Sequence, residues 1–127
     1  MLNLNNFNVK IIGGGRVAFR KAKLLHDNGA KITVVSDSFI KNFDKLKIKK
    51  ILRKISNEND IVDLVEKRSL FIIATDDEKI NDLIENFCKK NGIIYNRVDK
   101  KESDVIFPAF TRYREITVSI SSDGSLP

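Results

Sequence analysis

The sequence predicts an α/β fold, a mostly parallel sheet with helices on both faces, followed by a β-hairpin-like pair of strands at the C-terminal end. Three observations carry this expectation. Short β-branched runs alternate with stretches of helical period from Phe7 through Val98. The first such run enters Gly13-Gly14-Gly15 at the mouth of a helical stretch, which makes the sheet Rossmann-like. The 127 residues, 42% hydrophobic and 31% charged, with proline absent before Pro108, suit a single domain over 1–127 with one core.

The elements follow in order. Residues 7–12 (FNVKII) read as a strand, and residues 16–28 as a helix. Val17, Ala18, Ala22, Leu24 and Leu25 recur at 3-to-4 spacing there, while Arg16, Arg20, Lys21 and Lys23 fill the other face. Gly29 suits the position after that helix. KITVV, 31–35, is a second strand of high β-propensity. The lysine-rich stretch 41–54 is assigned a short helix through Leu46 and a strand near Ile51 and Leu52. Residues 58–67 read as a helix with Ile61, Leu64 and Val65 on one face. The continuous apolar run 70–74 is a strand covered on both sides. A helix over 77–91 carries Ile80, Leu83, Ile84 and Phe87 and closes at Gly92, and 93–98 is the next strand. Beyond it, 105–110 and 116–121 read as two strands joined across 112–115, a small β extension over about 104–122.

Composition narrows the function classes. No apolar run approaches the roughly 18 residues of a spanning helix, and the start, MLNLNNFNVK, has no secretory pattern. The lone Cys88 forms no internal disulfide and has no ligands at metal spacing, so no metal site is expected and a cytoplasmic setting is. Lys plus Arg outnumber Asp plus Glu by 23 to 17, giving +6. That balance suits an anionic partner but also arises from solvated lysines. With no Trp and no aromatic-basic interleaving beyond Arg112-Tyr113-Arg114, nucleic acid is not expected as a partner.

Gly13-x-Gly15-x-x-Ala18 carries the chemistry. In strand-turn-helix context Gly13 permits the tight turn, Gly15 lets a pyrophosphate approach the backbone, and Ala18 lets helix and strand pack closely. The helix N-terminus supplies N–H groups and dipole to phosphates. Asp37, 19 residues beyond Ala18, can accept hydrogen bonds from an adenine ribose or can cap a helix with Ser36. Ala74 and Thr75 end a strand at the carboxyl edge, where ligands bind in such sheets, and Asp76 or Asp77 caps the next helix. Asn96-Arg97-Val98-Asp99 ends the following strand at that edge. Asp99 there reads either as a turn residue or as a general base. The single histidine, His26, reads as a helix-surface residue.

Taken together, GGGRVAFRKAKLL, ATDDEKIN, NRVD, IFPAF and ISSDGSLP, in this order and spacing, resemble the N-terminal region of siroheme synthases, the precorrin-2 dehydrogenase and sirohydrochlorin ferrochelatase family. The resemblance runs from about Val9 to Pro127. It implies NAD-dependent removal of two hydrogens from precorrin-2 to give sirohydrochlorin, with ferrochelatase activity as the family's second role. The family aspartate matches Asp99. The matching cofactor positions are Gly13, Gly14, Gly15, Arg16, Val17, Asp37 and Ser38, with Ala74 and Thr75 nearby. Asn96, Arg97, Arg112 and Arg114 are the expected contacts to a tetrapyrrole polycarboxylate. Ser122 matches a serine modified in some relatives, and no modification is expected here. Asp37 replaces the family's small residue or proline, and Asp123 a common glycine. Relatives continue past the position of Pro127 into a helical segment for dimerisation and substrate binding, so a homodimer is expected where that segment is present. The competing reading is an NAD(P)-sensing regulatory module resembling the nucleotide-binding domains of potassium transport regulators. Such modules share the glycine turn but lack the Phe-Pro-Ala and Ser-x-Pro elements.

Overall fold

The computed structural model of the chain describes residues 5–99. The expected strands at 105–110 and 116–121, with Arg112, Arg114 and Ser122, lie outside those residues. Five parallel strands form one sheet in the order β3-β2-β1-β4-β5. They are β1 (Asn8–Ile12), β2 (Lys31–Ser36), β3 (Lys49–Leu52), β4 (Ser69–Ile73) and β5 (Ile94–Arg97). The chain starts in the centre, winds outward through β2 and β3, then crosses back to β4. The strand order therefore reverses between β1 and β4, and a crevice opens there at the carboxyl edge.

Alternation along each strand feeds two cores. Val9, Ile11, Ile32, Val34, Leu70, Ile72 and Ile94 point to one face, where helix α1 (Arg16–Asp27) covers them with Ala18, Ala22 and Leu25. Ile12, Val35, Phe71, Ile73 and Tyr95 point to the other, against Ile84, Phe87 and Cys88 of helix α2 (Glu78–Asn91). Every residue of β4 is buried, as the unbroken apolar run requires of a strand covered on both faces. Asn28 and Gly29 end α1, Gly29 at φ +90°, and Gly92 ends α2 at φ +67°, the left-handed conformation that glycine adopts without strain.

The β2–β3 connection holds a single 3₁₀ turn (Lys41–Lys45) where the sequence suggested a short helix, and its buried Phe43 packs edge-on to Phe19 and Phe39. The helix expected over 58–67 is not formed. Two 3₁₀ turns stand in its place, Glu58–Asp60 and Val62–Leu64, with Ile61 between them at φ −122°. The reason is local. Asn57 and Asp60 close a reciprocal capping box around the first turn, and Arg53 reaches across from the end of β3 to the Asp60 carbonyl (2.8 Å) and the Asp63 carboxylate (2.8 and 3.1 Å). These bonds fix short turns, and Ile61 and Leu64 still enter the core.

Candidate active site

The glycine turn is closed on by its neighbours at two positions and open at the third. Gly13 leaves β1 at φ +136°, and a Cβ there would lie 2.3 Å from the Ala74 carbonyl oxygen. Its N–H donates to the Val35 carbonyl, and the Ala74 N–H donates to the Ile12 carbonyl, both at 2.9 Å, so the turn is laced to β2 and β4. A Cβ on Gly14 would lie 1.8 Å from the Ser38 carbonyl oxygen, and Ile40 N–H donates to the Gly14 carbonyl at 2.9 Å. A Cβ on Gly15 would meet nothing within 4 Å. Gly13 and Gly14 are thus demanded by packing, whereas the space before Gly15 faces the crevice.

Gly15 is the N-cap of α1. No side chain caps that end, and no acidic residue occupies its first turn. The N-terminal N–H groups and the positive end of the helix dipole are therefore directed at the crevice. Arg16 and Val17 lie on that exposed first turn, outside the lining of the crevice itself. The crevice has a volume of about 500 Å³. Ser36, Asp37, Ser38 and Phe39, with Arg53 and Lys54 behind them, form its β2–β3 wall, and Ala74, Thr75, Asp76 and Asp77 form its β4 wall. Asp37 is exposed on the first wall and caps no helix, because the next turn begins at Lys41 with Ile40 as its cap. Ser36 Oγ instead accepts from the Ser38 N–H at 3.3 Å. These residues fit a dinucleotide: an open glycine approach, uncapped N–H groups for a pyrophosphate, and a carboxylate on the side where an adenosine ribose lies.

Beyond β4 the carboxyl edge carries a second cluster. Asp77 is the N-cap of α2, its Oδ1 accepting from Lys79 and Ile80 N–H groups. One turn on, the buried Asn81 donates from Nδ2 to the Thr75 carbonyl and to Asp99 Oδ2, both at 3.0 Å, and its Oδ1 accepts from Thr75 Oγ1. Asp99 also receives two bonds from Arg97, from Nε at 2.7 Å and Nη2 at 3.1 Å. Each of these partners donates, and the carboxylate oxygens accept. The Asp99 side chain is 29% exposed, so it keeps access to solvent at the strand end.

Two expected substrate contacts are corrected by this geometry. The Arg97 side chain is 2% exposed, and its remaining terminal nitrogen, Nη1, donates to Asp82 at 2.6 Å and Glu85 at 2.9 Å. It is an internal counter-ion for three carboxylates, and its pKa is raised, foremost by the Asp99 bond, against the opposing effect of burial. Asn96 is fully buried on the opposite face of β5, on the side of Ile94. Sequence reasoning missed Asn81, Arg53 and Lys54. A signal for Asn81 existed: it shares the buried stripe of α2 with Ile84 and Cys88, where a polar side chain needs a partner. Cys88 is buried with its thiol pKa pushed up, chiefly by burial, which leaves it inert.

The chain is similar to several known proteins. The family described as "Putative NAD(P)-binding" matches residues 1–109. Siroheme synthase of Blochmanniella floridana is 37% identical over 125 residues, 98% of this chain and 27% of the relative. Siroheme synthase 1 of Aeromonas salmonicida is 36% identical over 125 residues, 98% of this chain and 26% of the relative. The chain thus spans about a quarter of the length of these curated relatives. The solved structure of SirC, precorrin-2 dehydrogenase, superimposes with a TM-score of 0.65 at 26% identity, covering 100% of this chain and 62% of that one. E. coli MccB with MccA matches at a TM-score of 0.62 and 13% identity, a likeness of fold alone. No helix among the described residues is long and apolar enough to cross a membrane. With an open glycine turn at the switch point of a parallel sheet and a family match over most of its length, the chain belongs to the NAD(P)-binding family.

Proposed function

We propose that the chain is the precorrin-2 dehydrogenase unit of siroheme formation, oxidising precorrin-2 to sirohydrochlorin with NAD as hydride acceptor. The observation that carries this reading is the pairing of the open glycine turn with Asp99, anchored by Asn81 and Arg97, on the same edge of the sheet. The N–H groups of the first turn of α1 would hold the pyrophosphate, and Asp37 would accept from the ribose hydroxyls on the β2 side. Ala74 and Thr75, which line the crevice between the glycine turn and β5, would flank the rest of the cofactor. Bound there, NAD supplies the hydride-accepting ring. Removal of two hydrogens from precorrin-2 yields one hydride and one proton, and Asp99 takes the proton. The overall charge of +6 favours a substrate that bears many carboxylates. The similarity to siroheme synthases and to SirC supports the same assignment. A cytoplasmic setting, iron insertion and, where the relatives' helical segment is present, dimerisation complete the reading.

The test is to mix the full chain with NAD and precorrin-2 and follow NADH absorbance alongside the spectrum of sirohydrochlorin. The two should rise together, one NADH per sirohydrochlorin. A chain that binds NAD in calorimetry yet turns over no precorrin-2 would instead fit the regulatory-module reading.

A further inference from the structure

We infer that Asn81 is a positioning residue that couples the cofactor crevice to Asp99, setting the direction and proton affinity of that carboxylate. The functional meaning of this coupling rests on the dehydrogenase reading. The geometry does not. A carboxamide has one acceptor oxygen and a two-donor nitrogen. In Asn81 all of these are committed: Oδ1 to Thr75 Oγ1, Nδ2 to the Thr75 carbonyl and to Asp99 Oδ2 at 3.0 Å each. The assignment of oxygen and nitrogen is fixed by chemistry. Reversed, the carboxamide oxygen would face both a carbonyl and a carboxylate, acceptor against acceptor.

Thr75 lines the crevice, whereas Asp99 stands beyond it, so Asn81 is a side-chain bridge between the two. The Thr75 hydroxyl lies within reach of a second acceptor, the Asp77 carbonyl at 3.2 Å, and its one proton can serve either that oxygen or Asn81 Oδ1. A ligand that engages Thr75 therefore alters what Asn81 receives at one end and what it delivers to Asp99 at the other. The bridge is rigid because Asn81 is 1% exposed, and because Asp82 and Glu85 of the same helix hold Arg97, another partner of Asp99. Helix α2 thus fixes the carboxylate by two routes. A bond that merely strapped helix to sheet would leave the titration of Asp99 indifferent to cofactor.

The experiment uses the full chain, with carbon NMR on the Asp99 carboxyl and nitrogen–proton NMR on the Asn81 side-chain amide, titrated with and without NAD. The amide signals should move at the Asp99 midpoint, and NAD should displace both together. Amide signals that stay flat through that midpoint overturn the inference, and this readout needs no variant and no turnover. Asn81→Asp keeps the shape and the oxygen facing Thr75 Oγ1 but turns the donor to the Thr75 carbonyl and Asp99 into a carboxylate oxygen. It should raise the Asp99 midpoint by about 1 pH unit or more, shift the acidic limb of the kcat–pH profile with it, and lower kcat about tenfold or more at neutral pH. KM for NAD should stay within about threefold. An unchanged kcat and profile, or a loss confined to KM for NAD, overturns the role. If the parent chain does not oxidise precorrin-2, the dehydrogenase reading fails while the NMR titration still decides whether Asn81 couples crevice to carboxylate.

Discussion

Replacing Gly15 by valine should abolish cofactor binding while leaving the fold intact, which separates a ligand requirement from a folding requirement. Gly15 sits at φ −93° and ψ −164°, extended backbone open to any L-residue, and a Cβ there meets no atom within 4 Å. The loss of unfolded-state freedom stabilises by about 0.4–1 kcal/mol, and loss of glycine at the N-cap costs a similar amount. The two nearly cancel, so the melting temperature should move by no more than about 4 °C. Binding behaves differently. The side chain occupies the approach to the N–H groups of α1, and losing two charge-assisted bonds to a pyrophosphate costs at least about 3 kcal/mol, or roughly a hundredfold in Kd. Gly14→Ala is the contrasting control: its Cβ would overlap a backbone carbonyl at 1.8 Å, so it should destabilise by about 3 kcal/mol. Calorimetry with NAD and thermal melts of both variants measure the two effects. Parental NAD affinity in a folded Gly15→Val chain would refute the reasoning, since the crevice before Gly15 would then hold no phosphate.

Three further outcomes follow from the same geometry. Asp37→Ala should weaken NAD about tenfold or more while leaving NADP nearly unchanged, because the carboxylate accepts from a ribose diol and repels a 2′-phosphate; equal losses by calorimetry would remove Asp37 from the ribose. Arg97→Met should destabilise by about 3 kcal/mol in urea unfolding, since it leaves Asp82, Glu85 and Asp99 without their shared cation, and a neutral result would mean that the cluster carries little of the stability. The fold should also lose stability in acid: Ser56 and Asn57 N–H groups hold the Asp60 carboxyl below its ordinary value, Arg53 does the same for Asp63, and Lys10 for Glu66. Depressed carboxyls contribute stability above the ordinary carboxylate value near pH ~4 and lose it as pH falls through their lower folded values, so the urea midpoint should hold from neutral pH to about pH 5 and fall below about pH 4. Asp60→Asn should flatten part of that fall, and an acid slope identical to the parent's would contradict the assignment.

What was legible in the sequence was whatever local chemistry decides. The strand before Gly13, the all-apolar run of β4, the Asp77 cap and Gly92 stop of α2, and the sheet that these imply all carry their signals within a few residues. Features set by distant partners were not. Gly14 had no assigned reason of its own, because the atom that forbids a side chain is the Ser38 carbonyl beyond β2. Residues 58–67 have a helical apolar spacing, yet the guanidinium of Arg53 and the Asn57–Asp60 box hold them in 3₁₀ turns. Arg97 reads as a substrate contact until α2 brings Asp82 and Glu85 against it, from 15 and 12 residues away. Position left Asp99 open between turn residue and base, the resemblance singled it out, and its anchoring by Arg97 and by Asn81, 18 residues upstream, was not legible.

The most direct test of the account compares the rate of NADH formation from precorrin-2 in the parent chain and in Asp99→Asn. Asparagine keeps the shape and one acceptor oxygen, which can take the bonds from Arg97 Nη2 and Asn81 while its amide nitrogen meets the Arg97 Nε donor. A thermal melt and NAD calorimetry therefore first check that fold and cofactor affinity are retained. Asparagine cannot take the proton, so the rate should fall about 10²–10⁴-fold. An Asp99→Asn chain that oxidises precorrin-2 at the parent rate would contradict the central claim and leave Asp99 as a turn residue tied to Arg97.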